Sequence, residues 1–182
     1  MKNLILIAAL LIGYAANAQQ YVDKAGKIHF LSKTSMEDIE ATSTNAVCAL
    51  NTANRKVVVK VRNTSLKFKD GLMQEHFNEN YMESDKYEYC SLDATIVEAI
   101  DFTKDGVYDV TLKGTLDIHG VKVNREIKGK LTIKNGAPLK GTASFDVKLA
   151  DHKIKIPSLL GSNIAETIPV DVNFTFEKYE KK

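Results

Sequence analysis

The chain has 182 residues, a length that suits one domain. Charged residues make up 26% of the chain and nearly balance, with 25 Lys and Arg against 23 Asp and Glu. This composition gives no indication of a nucleic acid or another charged polymer as a partner.

The first 18 residues have the features of a cleaved signal peptide. Lys2 supplies the positive charge, residues 4–12 form a short apolar core, and Ala16-Asn17-Ala18 is a small-x-small cleavage pattern. We therefore predict a signal peptide over residues 1–18 and a single mature domain over residues 19–182, either periplasmic or secreted. The apolar run is too short to span a bilayer, so an uncleaved membrane anchor is the weaker alternative.

The first half of the mature chain predicts strands followed by one helix. Apolar residues at every second position place strands at residues 28–31, 39–50 and 56–62, with a turn or brief helix at residues 34–37.

The helix is predicted over residues 71–82, after Asp70 as its cap. Its apolar stripe, at helical spacing, contains Leu72, Met73, His76, Phe77 and Tyr81. A helix this short is marginal alone, so it must dock on a sheet. We expect either ordinary packing or a lid over the mouth of a barrel.

A long hairpin follows, in residues 108–133. Even positions are apolar up to Ile118, and after His119-Gly120 the apolar residues resume at odd positions from Val121. A two-residue turn at His119-Gly120 would pair Ile118 with Val121 and place both apolar sets on one face. The same register pairs Arg125 with Gly114.

Further strands are predicted at residues 89–100, 139–149 and 168–176, with a mixed segment at residues 154–164 and a frayed tail at 177–182. Between Ile133 and Leu139 the dipeptide Asn135-Gly136 favours a tight turn. However, both flanking residues must lie on one face, so we expect a loop of odd length there.

About eight strands with one apolar face each predict an all-β fold, an eight-stranded antiparallel barrel with one or two short helices. Closing the sheet removes its exposed edges. The interior of such a barrel is either filled by side chains or holds one elongated apolar ligand. Numerous charges on the polar face, among them Asp109, Lys113 and Lys130, favour a solvated exterior over an outer-membrane barrel.

The candidate cavity lining is the inward set of the best-defined strands. It consists of Val57, Val59, Leu92, Ile96, Val110, Leu112, Leu116, Val123, Ile127, Phe145, Val147, Val170, Val172 and Phe174. Small residues at inward positions favour a hollow interior over a filled one, because a solid core would need bulk there. These are Ala94, Gly114, Gly129, Gly141 and Ala143.

Arg125 is the one charged residue on the apolar phase of the hairpin, and a buried Arg needs a partner. We consider it a candidate to bind the headgroup of a lipid; the alternative is a bulge or an internal ion pair. Cys48 and Cys90 also lie on apolar phases, as buried small side chains or, in an exported protein, as a disulfide.

The sequence contains no arrangement that indicates catalysis or a metal site. The four His residues are scattered without ligand spacing, and there is no nucleophile elbow, phosphate-binding glycine loop or pair of carboxylates on a shared apolar face. We therefore predict no enzyme activity, no catalytic residues, no cofactor and no metal.

Three segments together resemble the YceI-like family. They are residues 73–87 (MQEHFNENYMESDKY), 114–121 (GTLDIHGV) and 145–170 (FDVKLADHKIKIPSLLGSNIAETIPV). The resemblance implies a lipocalin-like, eight-stranded barrel exported to the periplasm, with a long amphiphilic lipid such as a polyisoprenoid or isoprenoid quinone inside. One position departs from the family pattern, because Glu88 follows Ser-Asp-Lys-Tyr where members often have Pro.

The expected function is therefore an exported protein that holds a polyisoprenoid, isoprenoid quinone or fatty-acid-like lipid for transport, storage or sequestration. Two alternatives stay open: a filled barrel that acts as an interaction or structural module, and a hydrolase of lipid-linked substrates. The expected partner is the lipid and no nucleic acid, and a transient membrane contact and a homodimer are both open.

Overall fold

The computed structural model describes residues 19–33, 38–156 and 164–180. The predicted signal peptide, the turn at residues 34–37, most of the mixed segment at 154–164 and the last two residues lie outside this description. The elements are β1 (Gln20–Lys33), β2 (Asp38–Asn51), β3 (Lys56–Arg62), β4 (Lys67–Phe68), α1 (Gly71–His76), β5 (Tyr89–Ile96), β6 (Gly106–Ile118), β7 (Val121–Lys134), β8 (Ala137–Lys148), β9 (Thr167–Thr175) and β10 (Glu177–Lys178).

Eight of these strands close into an antiparallel barrel. The hydrogen-bonded order is β1-β9-β8-β7-β6-β5-β3-β2, and β2 pairs again with β1 to complete the ring. The two-residue strands β4 and β10 extend β2 and β1 at the edges. This confirms the predicted fold class.

The hairpin of β6 and β7 has the predicted register. Ile118 pairs with Val121, and Arg125 pairs with Gly114. His119 and Gly120 have φ angles of 53° and 69°, the pair of left-handed residues that a type I′ turn requires.

The prediction of an odd-length loop after β7 is wrong. Asn135 and Gly136 form the two-residue turn, with φ angles of 55° and 67°, and Ile133 pairs with Pro138. A β-bulge beside this turn shifts the register by one residue, so that Leu131 then pairs with Gly141. Because of the bulge, Gly141 and every second residue after it in β8 face inward, as the alternation of apolar residues predicts.

The clearest differences from the predicted strands lie at the start of β1, the end of β5 and the C-terminal tail. β1 begins at Gln20 instead of residue 28, because a bulge around buried Asp23 interrupts its alternation. The Asp23 carboxylate accepts hydrogen bonds from the backbone N–H of Ala25 and Thr175 at 2.8 and 2.7 Å. β5 ends at Ile96 instead of residue 100. The tail predicted to fray pairs with β1 through β10, and Tyr179 N donates to Gln20 O.

The two ends of the barrel differ. At one end a hydrophobic cluster closes the interior, and we call it the floor; it includes Tyr21, Cys48, Leu50, Ile96, Ile133, Phe174 and Phe176. The other end carries the His119-Gly120 turn, the helix α1 and the 3₁₀ turn Leu149–His152. Within the described ranges, no helix has the length and apolar character needed to cross a membrane.

Candidate functional site

An apolar cavity of about 250 Å³ lies inside the barrel, and all eight barrel strands contribute to its lining. For comparison, an apolar cavity of roughly 150 Å³ already holds a benzene ring. The side chains around it are almost all aliphatic or aromatic, so water inside would find few hydrogen-bond partners. The interior is thus hollow above the floor.

The structure places nearly all of the predicted lining residues on this cavity. They are Val57, Val59, Leu92, Val110, Leu112, Leu116, Ile127, Phe145, Val147, Val170, Val172 and Phe174. The two that do not line it are Ile96, which is buried in the floor, and Val123, which is half-buried near the start of β7.

The predicted small inward residues divide into two groups. Gly129, Gly141 and Ala143 line the cavity. Gly114 and Ala94 do not, because the two strands approach each other closely there: a Cβ on Gly114 would collide with the backbone of Asp93 and Ala94. The missing side chain at Gly114 therefore permits strand contact and adds nothing to the cavity.

The end opposite the floor is covered by α1 and the single π-helical turn that follows it, Phe77–Tyr81. We call residues 71–81 the lid. Met73, Phe77 and Tyr81 line the cavity, whereas Leu72 is 60% exposed and His76 does not line it. The predicted stripe is thus split, since only one edge of it faces the interior.

Side chains attach the lid to the barrel rim. The Phe77 ring lies 4.9 Å from that of Phe68 and 5.8 Å from that of Phe30, which joins the lid to β4 and β1. The Asp70 carboxylate accepts from Met73 N at 2.8 Å, as an N-cap. The Gln74 amide donates to Leu66 O at 2.8 Å. These are few contacts, so local opening of the lid costs less than unfolding of the barrel.

Arg125 lies outside the cavity lining. It is half-buried, and its Nη2 atom donates to the backbone carbonyl of Asp146 on β8 at 2.6 Å. Within the described ranges, it forms no ion pair.

The YceI-like domain family matches residues 20–176 of the chain. The chain belongs to this family. None of the curated proteins compared with it matches.

Several solved structures show the same fold at low identity. A polyisoprenoid-binding domain from Saccharophagus degradans, implicated in plant cell wall breakdown, is 16% identical with a TM-score of 0.69, covering 89% of this chain and 99% of that one. BcnA from Burkholderia cenocepacia is 14% identical, with a TM-score of 0.63 and coverage of 81% and 94%. The YceI protein of Campylobacter jejuni is 17% identical, with a TM-score of 0.57 and full coverage of both chains.

The position that departs from the YceI-like pattern keeps a regular strand start. Glu88 precedes β5, and its carbonyl accepts from Asn63 N at 2.9 Å. Tyr89 then pairs with Arg62 as the first residue of the strand. The missing Pro does not disturb the sheet at this point.

The thiols of this YceI-like barrel are free and protonated. Cys48 and Cys90 form no disulfide. Burial raises the pKa of each thiol to about 12, with a smaller contribution from the nearby charge of Asp23 for Cys48 and of Asp117 for Cys90. Cys90 lines the cavity and donates to Asn63 Oδ1 at 3.1 Å. Thiols that stay protonated at neutral pH are poor nucleophiles and metal ligands.

Beside the lid, His119 occupies a structural position. Its Nε2 lies 2.8 Å from Glu83 Oε2, its Nδ1 lies 3.3 Å from the carbonyl of His152, and the Tyr87 ring packs edge-on against it. Both ring nitrogens are thus engaged within the protein. Among the residues described, no three His, Cys, Asp or Glu side chains converge to form a metal site.

Part of the lining at the lid end was not among the predicted residues. Ile28 and Phe30 of β1, Phe68 of β4 and Ile154 line the cavity. Ile28 and Phe30 are alternate residues of a predicted strand, so the apolar alternation could have identified them. Phe68 and Ile154 lie in short irregular segments, and no periodic signal marks them.

Proposed function

We propose that this protein is a non-enzymatic binding protein that holds the apolar chain of an amphiphilic lipid inside its barrel. The observation that carries the proposal is the apolar cavity of about 250 Å³ between the floor and the lid. The polyisoprenoid-binding domain of Saccharophagus degradans, with the same fold, supports it. Polyisoprenoids, isoprenoid quinones and fatty acids all carry a chain that fits this chemistry.

The energy of burial is sufficient for retention of such a chain. A segment that buries about 300 Å² of apolar surface gains about 8 kcal/mol at ~25 cal/mol per Å². Loss of motion and ordering of the chain offset part of this gain. Micromolar or tighter binding corresponds to about 8 kcal/mol or more, so a longer buried segment or polar contacts at the other end must supply the remainder.

The lid gives the chain a route into the barrel. Because α1 has only one and a half turns, it has little stability of its own and depends on the Phe30–Phe68–Phe77 contact. Displacement of Phe77 would open the cavity at the lid end and enlarge it for chains longer than the closed cavity holds. The protein would then carry, store or sequester the lipid in the periplasm or outside the cell.

Two measurements test this proposal. Protein purified from its native compartment is extracted with organic solvent, and mass spectrometry is expected to find an amphiphile in a stoichiometric amount. Purified, lipid-free protein is then titrated with a fluorescent fatty acid, which polyprenols, quinones and unlabelled fatty acids should displace.

The outcomes separate this function from the two alternatives. No extractable lipid and no probe binding would overturn the proposal and favour an interaction module. Turnover of a lipid-linked substrate would instead favour a hydrolase.

A further inference from the structure

The barrel wall has an incomplete seam between β7 and β8. Pairing of the two strands runs from the Asn135-Gly136 turn to Gly129 opposite Ala143 and stops there. Beyond this point β7 remains paired with β6 down to Val121, and β8 remains paired with β9 down to Lys148. Residues 121–128 and 144–148 therefore face each other without strand pairing. We call this gap the β7–β8 window.

The window is bounded at both ends. At one end lies the last pair, Gly129 and Ala143. At the other, the 3₁₀ turn after β8 covers the start of β7, where His152 Nδ1 lies 3.1 Å from Val121 O. Between these limits the inward residues Val123 and Phe145 are half-buried, whereas the inward residues Ile127 and Val147 are buried, at 1% and 4% exposure. The inward face of the wall is therefore partly open within the window.

The interior cavity and a cleft on the outer surface share wall residues at the paired edge of the window. Gly129, Lys130, Thr142, Ala143 and Val172 line both the apolar cavity and a polar cleft on the outside of the barrel. Two of these residues have no side chain or only a methyl group, so the wall is thin there. The outer cleft also includes Lys27 and Lys128, together with Asp109 and Asp171.

Arg125 spans the window. It lies on the inward phase of β7, and its guanidinium reaches the carbonyl of Asp146 on β8 at 2.6 Å. Asp146 is opposite Pro169 in β9, and Pro has no N–H to donate to that carbonyl. The nearest acidic neighbour in sequence, Glu126, is engaged with Lys113 at 2.8 Å. Among residues 19–33, 38–156 and 164–180, the acceptor that holds Arg125 is therefore a neutral carbonyl.

Basic residues outnumber acidic ones around the window. Its two strand segments contain Lys122, Arg125, Lys128 and Lys148 against Glu126 and Asp146. An arginine in a partly desolvated position binds phosphate or carboxylate through two parallel hydrogen bonds, which are stronger than a bond to a neutral carbonyl.

We propose that the β7–β8 window is the exit for the polar end of the bound lipid, and that Arg125 binds its anionic phosphate or carboxylate group. The inference rests on the proposed function, since it needs a lipid chain in the cavity. Binding exchanges the bond from Arg125 to Asp146 O for a charge-assisted bond to the ligand. The lid then admits the chain, and the window holds the headgroup.

The first test compares lipids that have one chain and different heads. Hexadecanoic acid, hexadecyl phosphate and hexadecanol are titrated against the wild type by displacement of the fluorescent fatty acid. We expect the two anions to bind about tenfold more tightly than the alcohol, a difference equivalent to about 1.4 kcal/mol. Arg125→Gln should abolish this preference and leave the affinity for the alcohol unchanged, and Arg125→Lys should keep part of it.

Arg55→Gln is the matched control. Arg55 also donates a guanidinium bond to a backbone carbonyl, that of Glu98 at 3.2 Å, but at the floor end of the barrel. This variant should keep the wild-type preference. Equal affinities for anion and alcohol in the wild type, or an equal loss for both in Arg125→Gln, would overturn the assignment. Inorganic phosphate is titrated in the same way. If it binds as tightly as hexadecyl phosphate, the site binds a free anion instead of a lipid headgroup.

The second test locates the polar end directly. A nitroxide is attached at Lys128→Cys beside the window or at Lys67→Cys beside the lid, and each labelled protein is titrated with a fatty acid that carries a fluorophore on its carboxyl end. Strong quenching from position 128 and little from position 67 is expected. The reverse pattern would refute the window and leave lipid binding intact, whereas absence of binding in both proteins would refute the proposed function itself.

Discussion

Substitution of Leu112 by Trp should block the cavity from within. Leu112 lies on the inward face of β6, lines the cavity, and contacts both hydrophobic clusters of the interior. An apolar cavity of roughly 150 Å³ is filled by one benzene ring, and an indole is larger than benzene. The indole would therefore take more than half of the 250 Å³ that is present.

The expected loss of affinity follows from the area that the ligand can no longer bury. If the chain loses about 150 Å² of apolar contact, binding weakens by about 4 kcal/mol at ~25 cal/mol per Å², or roughly a thousandfold. The empty protein should change little in stability, because the ring occupies space that is already vacant. Strain from imperfect fit would cost about 1–3 kcal/mol at most.

Displacement titration of the fluorescent fatty acid measures the affinity, and thermal unfolding of the lipid-free protein checks the fold. Thr115→Trp is the matched control, since Thr115 lies on the same strand but faces outward, where its side chain hydrogen-bonds to Asn124. This variant should bind as the wild type does. Wild-type affinity in Leu112→Trp would show that the ligand does not occupy the cavity.

Three further predictions concern the lid, the thiols and the carboxylate of Glu98. Phe77→Ala should destabilise the protein by about 2 kcal/mol, which is less than the ~3–5 kcal/mol lost when a fully buried Phe is replaced by Ala, and it should speed ligand release. Urea unfolding measures the first effect and stopped-flow dissociation the second. An unchanged release rate would show that Phe77 does not control ligand exit. Cys48 and Cys90, whose pKa values are raised to about 12, should resist iodoacetamide at about pH 8 until the protein unfolds, as mass spectrometry would show; rapid labelling of the native protein would contradict their burial. The backbone N–H of Thr111, 2.7 Å from Glu98 Oε2, holds the pKa of Glu98 below its usual value, so its stabilisation is complete above the unfolded pKa of about 4.3 and is lost as pH falls through the folded pKa. Glu98→Gln should therefore lower the free energy of unfolding at neutral pH by roughly 1 kcal/mol, and this difference from the wild type should shrink as the pH falls. Urea unfolding of both proteins across this pH range measures the difference. A difference that stays constant with pH would contradict the reasoning.

The predictable part of this fold was its hydrophobic alternation. Pairing of Ile118 with Val121 and the inward phases of β6 and β7 followed from period two and a two-residue turn. The same reasoning failed after Ile133, because a bulge is invisible to a rule that assumes regular pairing. The tight Asn135-Gly136 turn and the inward phase from Gly141 onward both exist, and the bulge reconciles them by leaving Leu139 exposed.

Features that depend on a buried polar group or on strand divergence were harder to foresee. Asp23 breaks the pattern of β1 because its carboxylate satisfies backbone donors on β9 and within β1. The unusual character of Arg125 was visible in the sequence, but its contact across the gap to Asp146 O depends on where β7 and β8 separate. The alternation of residues within one strand does not indicate where its pairing with the neighbouring strand ends.

The floor also determines how far a bound chain can travel. Phe176 packs against Gly141, where a Cβ would lie 3.1 Å from the ring, and together with Phe174 it closes the barrel from side to side. If the proposed lipid enters tail first from the opposite end, these rings stop its hydrocarbon tail, and all such lipids would be inserted to one depth. Differences in tail length then displace the head, and the protein can measure length by whether that head still reaches its binding residue.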